Sequence, residues 1–403
     1  MAGNDPRDLS VEAARLRLLG AVGPVAGVER IGLAEADGRV LAGPVHAPTA
    51  LPREDAAALD GYALRGDDAV AGRRLRVVGR ALAGAPWSGT VAPGTCARIM
   101  TGAVVPAGAD TVIAQERVQA DEGWITLDAT LTAGANVRLA GEDAAAGEEM
   151  LGAGCRIDAR VIALLAALGM VSVTVARPVR VGLLSTGSEL RPPGTSLASG
   201  ELYDSNRPML AALLSRPCVS LRDLGTVPDD PEQLSARFAQ TADLDLVIVT
   251  GGVSVGEADW VRPVLAQRGQ LDFWRVAVKP GRPLVFGRLG NCWLMGLPGN
   301  PVSAYVTFRL FVEPVVQRLA GLPVCEPLTL LASIGEAVRH RADRTSFLRG
   351  RWIASTDGGR GVAPLPAQGS AMLSGLAQAD CLIELPAGQT AFAAGTAVKV
   401  WPL

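Results

Sequence analysis

Apolar residues recur along this chain with two different periods, and the change of period divides it. Ser10 precedes a run that places Leu9, Ala13, Leu16 and Leu19 or Gly20 on one side, which predicts a helix through about Leu19 with Ser10 as N-cap. Residues 28–33 read as a strand, and residues 35–41 as a short helix ended at Gly43-Pro44. Residues 48–64 are proline-broken and then polar, a loop entering a strand. From Leu75 to about Leu139, short runs such as LRVVGRAL, TCARIMTGA, DTVIAQERV and WITLD alternate between Gly, Pro and Asp turns. Evenly spaced short strands predict a small β barrel or sandwich. Residues 136–151 form a charged, glycine-rich loop, followed by a helix and strand across residues 160–175.

Beyond Arg177-Pro178 strands alternate with helices. VRVGLLSTGSEL is a strand ending in a Ser-Thr-Gly turn. A helix over 204–214, the strand VSLRDLGTV and a helix over 231–240 come next. Residues 246–249 are a β-branched run suited to a strand buried on both faces. A helix over 261–267 leads to the strands FWRVAVKPG, PLVFG and CWLMGL, and a last helix opens at Asn300-Pro301 as N-cap and N1. The pattern predicts a doubly wound α/β unit with a mostly parallel sheet. After Gly321-Leu322-Pro323 the short strands LTLLASI, SFLRGRWI, GVAPLP, CLIELP and AVKVW make a second small β unit.

Composition removes several function classes. A net charge of −2 gives no electrostatic case for binding nucleic acid. Six scattered cysteines show no metal or redox spacing, and two histidines, His46 and His340, argue against histidine-based metal or triad chemistry. The N-terminus lacks the basic and apolar regions of a signal peptide, and the longest apolar stretch, residues 161–176, is short for a membrane span. A soluble cytoplasmic protein with reduced thiols is expected.

The candidate chemistry lies in the turns. TGGVSVGEADW follows the buried strand with Gly251, Gly252, Ser254 and Gly256 before a helix pattern. Glycines let the backbone approach a phosphate, and free N–H groups at a helix start face it. Glu257 and Asp259 in the same turn suggest a metal-bridged phosphate. Two further strand ends carry similar turns: Ser185, Thr186 and Gly187 in STGSE, and the GLPGNP turn. In such sheets ligands sit beyond the strands' C-terminal ends, so three such turns on one sheet predict a phosphate-bearing ligand there. The pattern is neither a P-loop nor a dinucleotide fingerprint.

Taken together, ALDGYAL, RIMTGA, NVRLAGED, STGSEL, TGGVSVGEAD, VAVKPGRPL, LPGNPVSA and the C-terminal QGS resemble, in order, the MoeA family, molybdopterin molybdenumtransferases related to the gephyrin E domain. The resemblance runs from Asp60 to Ser370. It implies four domains: 1–45 with 141–177 as an elongated linking domain, 46–140 as an inserted β domain, 178–321 as a MogA-like α/β domain binding molybdopterin, and 322–403 as a β-barrel. It also implies insertion of molybdate into adenylylated molybdopterin with release of AMP, Mg²⁺ as cofactor, and a homodimer whose cleft is shared between subunits. A MogA-type adenylyltransferase would supply the substrate, and molybdenum enzymes would accept the product.

Carried position by position, the resemblance marks Asp60, Thr101, Glu189, Asp229, Asp259 and Lys279 as catalytic. Glu189, Asp229 and Asp259 would hold the metal. Arg138, Asp143, Arg282, Pro298, Asn300, Pro301 and Ser303 would bind substrate. Arg344 and Ser370 would complete the oxyanion site, with Arg349 and Ser374 as alternatives. Several of these have purely structural readings: an Asx-turn for Asp60, a turn hydroxyl for Thr101, a helix first-turn acid for Glu189 and an N-cap for Asp229, with Asp230 as competitor. Relatives with another oxyanion such as tungstate, the adenylylating sister activity and a non-catalytic scaffold are the rival expectations. The flanking β units argue against the sister activity, and the intact acidic set argues against the scaffold.

Overall fold

A computed structural model describes residues 8–254, 259–354 and 359–403, the side chain of Trp274 excepted. Gly256 and Glu257 of the glycine-rich turn lie outside the described residues. The first helix spans Val11–Ala21, and Ser10 Oγ accepts the amide of Ala13 at 3.0 Å, as its N-cap position predicts. Its inward face is a different one. Ala14 and Leu18 are buried, whereas Leu16 is 68% exposed. Both stripes satisfy helical spacing. The face that wins is the one that meets Phe308, Phe311, Val315 and Leu319 in a shared core.

The expected helix over 35–41 does not form. One 3₁₀ turn, Leu33–Glu35, is followed by Gly38 at φ 71°. Val40 and Leu41 then bridge to Arg156 and Val175. A left-handed residue stops helix propagation, and distant backbone groups take the amides instead. Val28–Gly32 pairs antiparallel with Ser172–Ala176, so segments more than a hundred residues apart share one core around Leu41, Ile157, Leu165 and Val175. Between them lies a six-stranded sheet in the order Thr111–Ala114, Gly61–Leu64, Thr95–Ile99, Arg74–Ala81, Trp124–Leu127, Val118–Asp121.

The α/β part has four parallel strands in the order Val219–Val227, Val179–Thr186, Leu246–Thr250, Cys292–Leu297. Pro283–Leu289 and Gln270–Arg275 extend it antiparallel. All five residues of Leu246–Thr250 are buried. Leu246 and Ile248 enter one core and Val247 and Val249 another, so helices cover both faces. The last helical run starts at Pro301 and passes through a π-helical stretch, Phe308–Val312, to Leu319.

FWRVAVKPG is not one strand. It breaks after Arg275, and Val278–Lys279 pairs with Thr345 and Ser346 in the C-terminal sheet. That sheet orders Thr345–Ala354, Arg360–Pro364, Leu330–Ile334, Ala397–Pro402 and Cys381–Leu385, and the last pairs back with the first. It is a closed five-stranded barrel around Ile334, Val362, Ile383 and Val400. Among the described residues no helix is long and apolar enough to cross a membrane.

Candidate active site

Three strands of the parallel sheet end side by side at Thr186, Thr250 and Leu297, and their turns open onto one cavity of about 1160 Å³. The turns need glycine. Gly251 and Gly252 have φ of 90° and 62°, and a Cβ on Gly251 would stand 2.3 Å from the backbone oxygen of Thr186. Side chains brace the floor. Thr250 Oγ1 donates to Pro298 O at 3.2 Å, while Asn206 Nδ2 donates to Thr250 Oγ1 at 2.8 Å and to Gly299 O at 2.7 Å. One amide thus ties the second turn to the third. Among the described residues the hydroxyls of Ser185 and Thr186 are buried without a hydrogen-bond partner. Thr186, Gly187, Gly251, Gly252 and Ser254 line the cavity; Ser185 does not.

Glu189, Asp229 and Asp259 all reach this cavity. Glu189 is followed by a short strand, Leu190–Arg191, and so is not a helix first-turn acid. Asp229 does not cap the helix Pro231–Ala239; Asp230 does, accepting the amide of Gln233 at 2.8 Å. Asp229 instead exchanges hydrogen bonds with Ser188, accepting its amide at 3.2 Å and donating its own to Ser188 Oγ at 3.0 Å. Among the described residues no three His, Cys, Asp or Glu side chains converge on a common metal position. Such a donor set fits Mg²⁺ carried largely by substrate phosphate and water, with one or two carboxylates, rather than an all-protein cage.

The cations sort differently from expectation. Lys279 is exposed at the cavity wall. Arg282 does not line the cavity: its Nε donates to Asp8 at 2.7 Å. Arg344 does not line it either, and its Nε pairs with Asp343 at 3.0 Å. Arg349 takes that place. It is 1% exposed, lines the cavity, and donates through Nη2 to Ala367 O at 2.6 Å and Gly369 O at 3.0 Å. Burial lowers its pKa from the ordinary arginine value. Ser370, not Ser374, lines the cavity with it.

Pro298, Asn300, Pro301 and Ser303 also line it. Asn300 occupies the N-cap position, but its side chain caps nothing; Nδ2 donates to Ser370 Oγ at 3.0 Å. The amide of Val302 donates to Ser370 O at 3.0 Å. The barrel therefore closes the site against the helix start.

Among the lining residues that escaped sequence reasoning are the polar Asp204 and Asn206. Their motif, DSN before a helix, is hard to tell from an ordinary helix entrance. Asp204 does accept the amide of Arg207 at 3.1 Å.

Asp60, Thr101, Arg138 and Asp143 do not line this cavity within one chain. Asp60 Oδ1 accepts both the amide and the hydroxyl of Thr101, each at 2.7 Å, which holds its carboxyl below the usual carboxylate range. The bonding spans two loops, so Asp60 is not a local Asx-turn. Arg138 is exposed on a short strand paired with Ala56–Ala57, and Asp143 is exposed in the following loop.

Three family descriptions match this chain in tandem: "MoeA N-terminal region (domain I and II)" over residues 9–169, "Probable molybdopterin binding domain" over 182–318, and "MoeA C-terminal region (domain IV)" over 332–403. A molybdopterin molybdenumtransferase of Haemophilus influenzae is 37% identical, with 98% of each chain covered. One from Synechococcus elongatus is also 37% identical, over 97% of this chain and 99% of that one. The crystal structure of the molybdopterin biosynthesis MoeA protein of Pyrococcus horikoshii OT3 superposes with a TM-score of 0.85 at 26% identity, covering 98% of this chain and all of that one. The cavity, the turns that line it and the barrel that closes it are thus those of a chain that belongs to the MoeA family of molybdopterin molybdenumtransferases.

Proposed function

We infer that this transferase of molybdenum cofactor biosynthesis takes adenylylated molybdopterin and molybdate, and releases AMP as molybdenum enters the dithiolene. The observation that carries the reading is the convergence of three glycine or proline turns, Lys279 and Arg349 with three carboxylates on one cavity of about 1160 Å³. Molybdate and pyrophosphate are anions. Backbone N–H groups and a few fixed cations bind them, and the same groups stabilise charge that grows as a phosphate bond breaks. Lys279 supplies a flexible point charge at the wall. Arg349 supplies a preorganised one, its guanidinium already held by two carbonyls. One or two of Glu189, Asp229 and Asp259 would hold Mg²⁺ together with the substrate phosphates, and the ion would neutralise phosphate charge.

Asp60, Thr101, Arg138 and Asp143 fit this chemistry as residues delivered by a second copy of the chain, completing a cleft shared in a homodimer. A MogA-type adenylyltransferase would supply the substrate, and molybdenum enzymes would receive the product. A cytoplasmic setting fits the reading, since the described cysteines are all free.

The test incubates the purified protein with adenylylated molybdopterin and molybdate, following AMP release and molybdenum bound to the pterin. Release that depends on molybdate supports the reading. Absence of both AMP and metallated pterin overturns it. Tungstate run in parallel reports the oxyanion preference.

A further inference from the structure

The motif RIMTGA carries two polar side chains, Arg98 and Thr101. Thr101 holds the Asp60 carboxylate directly, through its amide and its hydroxyl. Arg98 acts on the backbone around Asp60. That residue is exposed and stands just before the strand Gly61–Leu64, which runs between Thr95–Ile99 and Thr111–Ala114. Arg98 is the cross-strand partner of Tyr62. Its Nη1 donates to Gly61 O at 2.9 Å and its Nη2 to Gln115 Oε1, while its Cζ lies over the Tyr62 ring, 5.0 Å from the centroid. Gln115 in turn donates its amide to Asp60 O at 3.1 Å.

One guanidinium therefore bonds to two groups that flank Asp60. One is the carbonyl of the next residue, and the other is the side chain of the residue that takes Asp60's own carbonyl. Gly61 has no room for a side chain, since a Cβ there would stand 1.8 Å from Ile113 O. The hold on this peptide comes from the neighbouring strand instead. A planar fork spans two acceptors at a fixed spacing, which a lysine ammonium does not reproduce. The Tyr62 ring restricts the guanidinium further. The electrostatics run the same way. The Thr101 amide and then its hydroxyl pull the Asp60 carboxyl down most, burial opposes them, and the charge of Arg98 adds a smaller downward pull.

We propose that Arg98 is a positioning residue for the transfer reaction: it fixes the backbone that carries Asp60, so that the carboxylate keeps its place on Thr101 and meets the ligand in one orientation. This rests on the role given to Asp60 in the function proposed above.

The test uses the full chain with Arg98→Lys, Arg98→Met and Gln115→Met. The last removes an acceptor of Arg98 but keeps the backbone bond to Asp60 O. AMP release is followed with adenylylated molybdopterin and molybdate, and the Asp60 carboxyl is titrated by carbon-detected NMR. In both Arg98 variants kcat should fall roughly tenfold to a hundredfold, the scale of a slightly misplaced reacting group. KM should stay within about twofold, as for an interaction that matters in the transition state. Gln115→Met should fall less, in the same direction. In Arg98→Met the carboxyl should titrate higher than in the parent. A side chain that only braces the sheet would lower Tm and leave both kcat and the Asp60 titration at parent values. That result in a folded variant overturns the positioning role and leaves the proposed function standing, and so does a rise in KM alone. If neither Arg98 variant folds, parent values of kcat and titration in Gln115→Met overturn it. Full turnover in Asp60→Ala would remove Asp60 from the mechanism, and the role of Arg98 with it.

Discussion

Single side chains decide which charges face the ligand. Lys279 lines the cavity, while Arg282, three residues on, is held by Asp8. Lys279→Ala should therefore weaken molybdate binding by about tenfold to a hundredfold, the scale of a hydrogen bond to a charged group. Arg282→Ala should change it by no more than about twofold, because it removes a half-exposed ion pair. Equilibrium dialysis against labelled molybdate distinguishes the two, and equal losses would put Arg282 back in the site. Asp60 offers a second test. The amide of Thr101 is the larger cause of its lowered pKa and the hydroxyl the next. Thr101→Val keeps the amide, so the carboxyl should titrate higher than in the parent but still below its ordinary range, as carbon-detected NMR of that carboxyl would show. The sign follows from the direction of the shift. These hydrogen bonds favour the folded state above the ordinary carboxylate pKa, and that contribution is lost as pH falls through the lowered one.

At the level of the element, turns and helix starts carry the site, and they differ in how much change they tolerate. Gly251 combines a φ of 90° with a backbone oxygen 2.3 Å from any added Cβ, and backbone cannot swing aside as a flexible side chain can. Gly251→Ala should cost about 2 kcal/mol or more in urea unfolding. It should also abolish AMP release. Asp230→Ala removes only an N-cap, about 1 kcal/mol, and should leave turnover near the parent value. If Asp230→Ala lost activity at unchanged fold, the separation of Asp229 and Asp230 into ligand-facing and capping roles would be wrong. Asn300 shows the opposite economy. At the helix start its side chain bonds to Ser370 of the barrel rather than to its own helix. The amide of Val302 goes instead to Ser370 O, across to the barrel side.

Across the whole molecule, the arrangement depends on parts that lie far apart in sequence. Val278–Lys279 leaves the α/β sheet to join the barrel, so the backbone of Lys279 is held by the barrel rather than by the strand that precedes it. The residues around Asp60 stay away from the cavity of their own chain. If they serve the cavity of a second copy, mixing Asp60→Ala with Asp259→Ala should return activity. Each heterodimer would then hold one intact cleft and one doubly altered, giving about half the parent turnover per heterodimer. Mass-verified heterodimers without turnover would show that the cleft is not shared in this way.

By itself the sequence determined many of the elements and the glycine and proline turns between them. The period of Leu246–Thr250, the glycines after it, Ser10 before the first helix and Pro301 after Asn300 act through neighbours a few residues away, where sterics and local hydrogen bonds leave little choice. Family motifs extended that reach to the acids that meet at the cavity. Only the tertiary structure decided which face of the first helix is buried, that residues 35–41 are not a helix, and that Arg349 rather than Arg344 stands at the cavity wall. It also divided the work of Asp229 and Asp230, and brought Asn206 across to join two turns. The physical reason is common to all of these. A long or polar side chain has several low-energy conformations, and the partner that selects among them comes from a distant part of the chain.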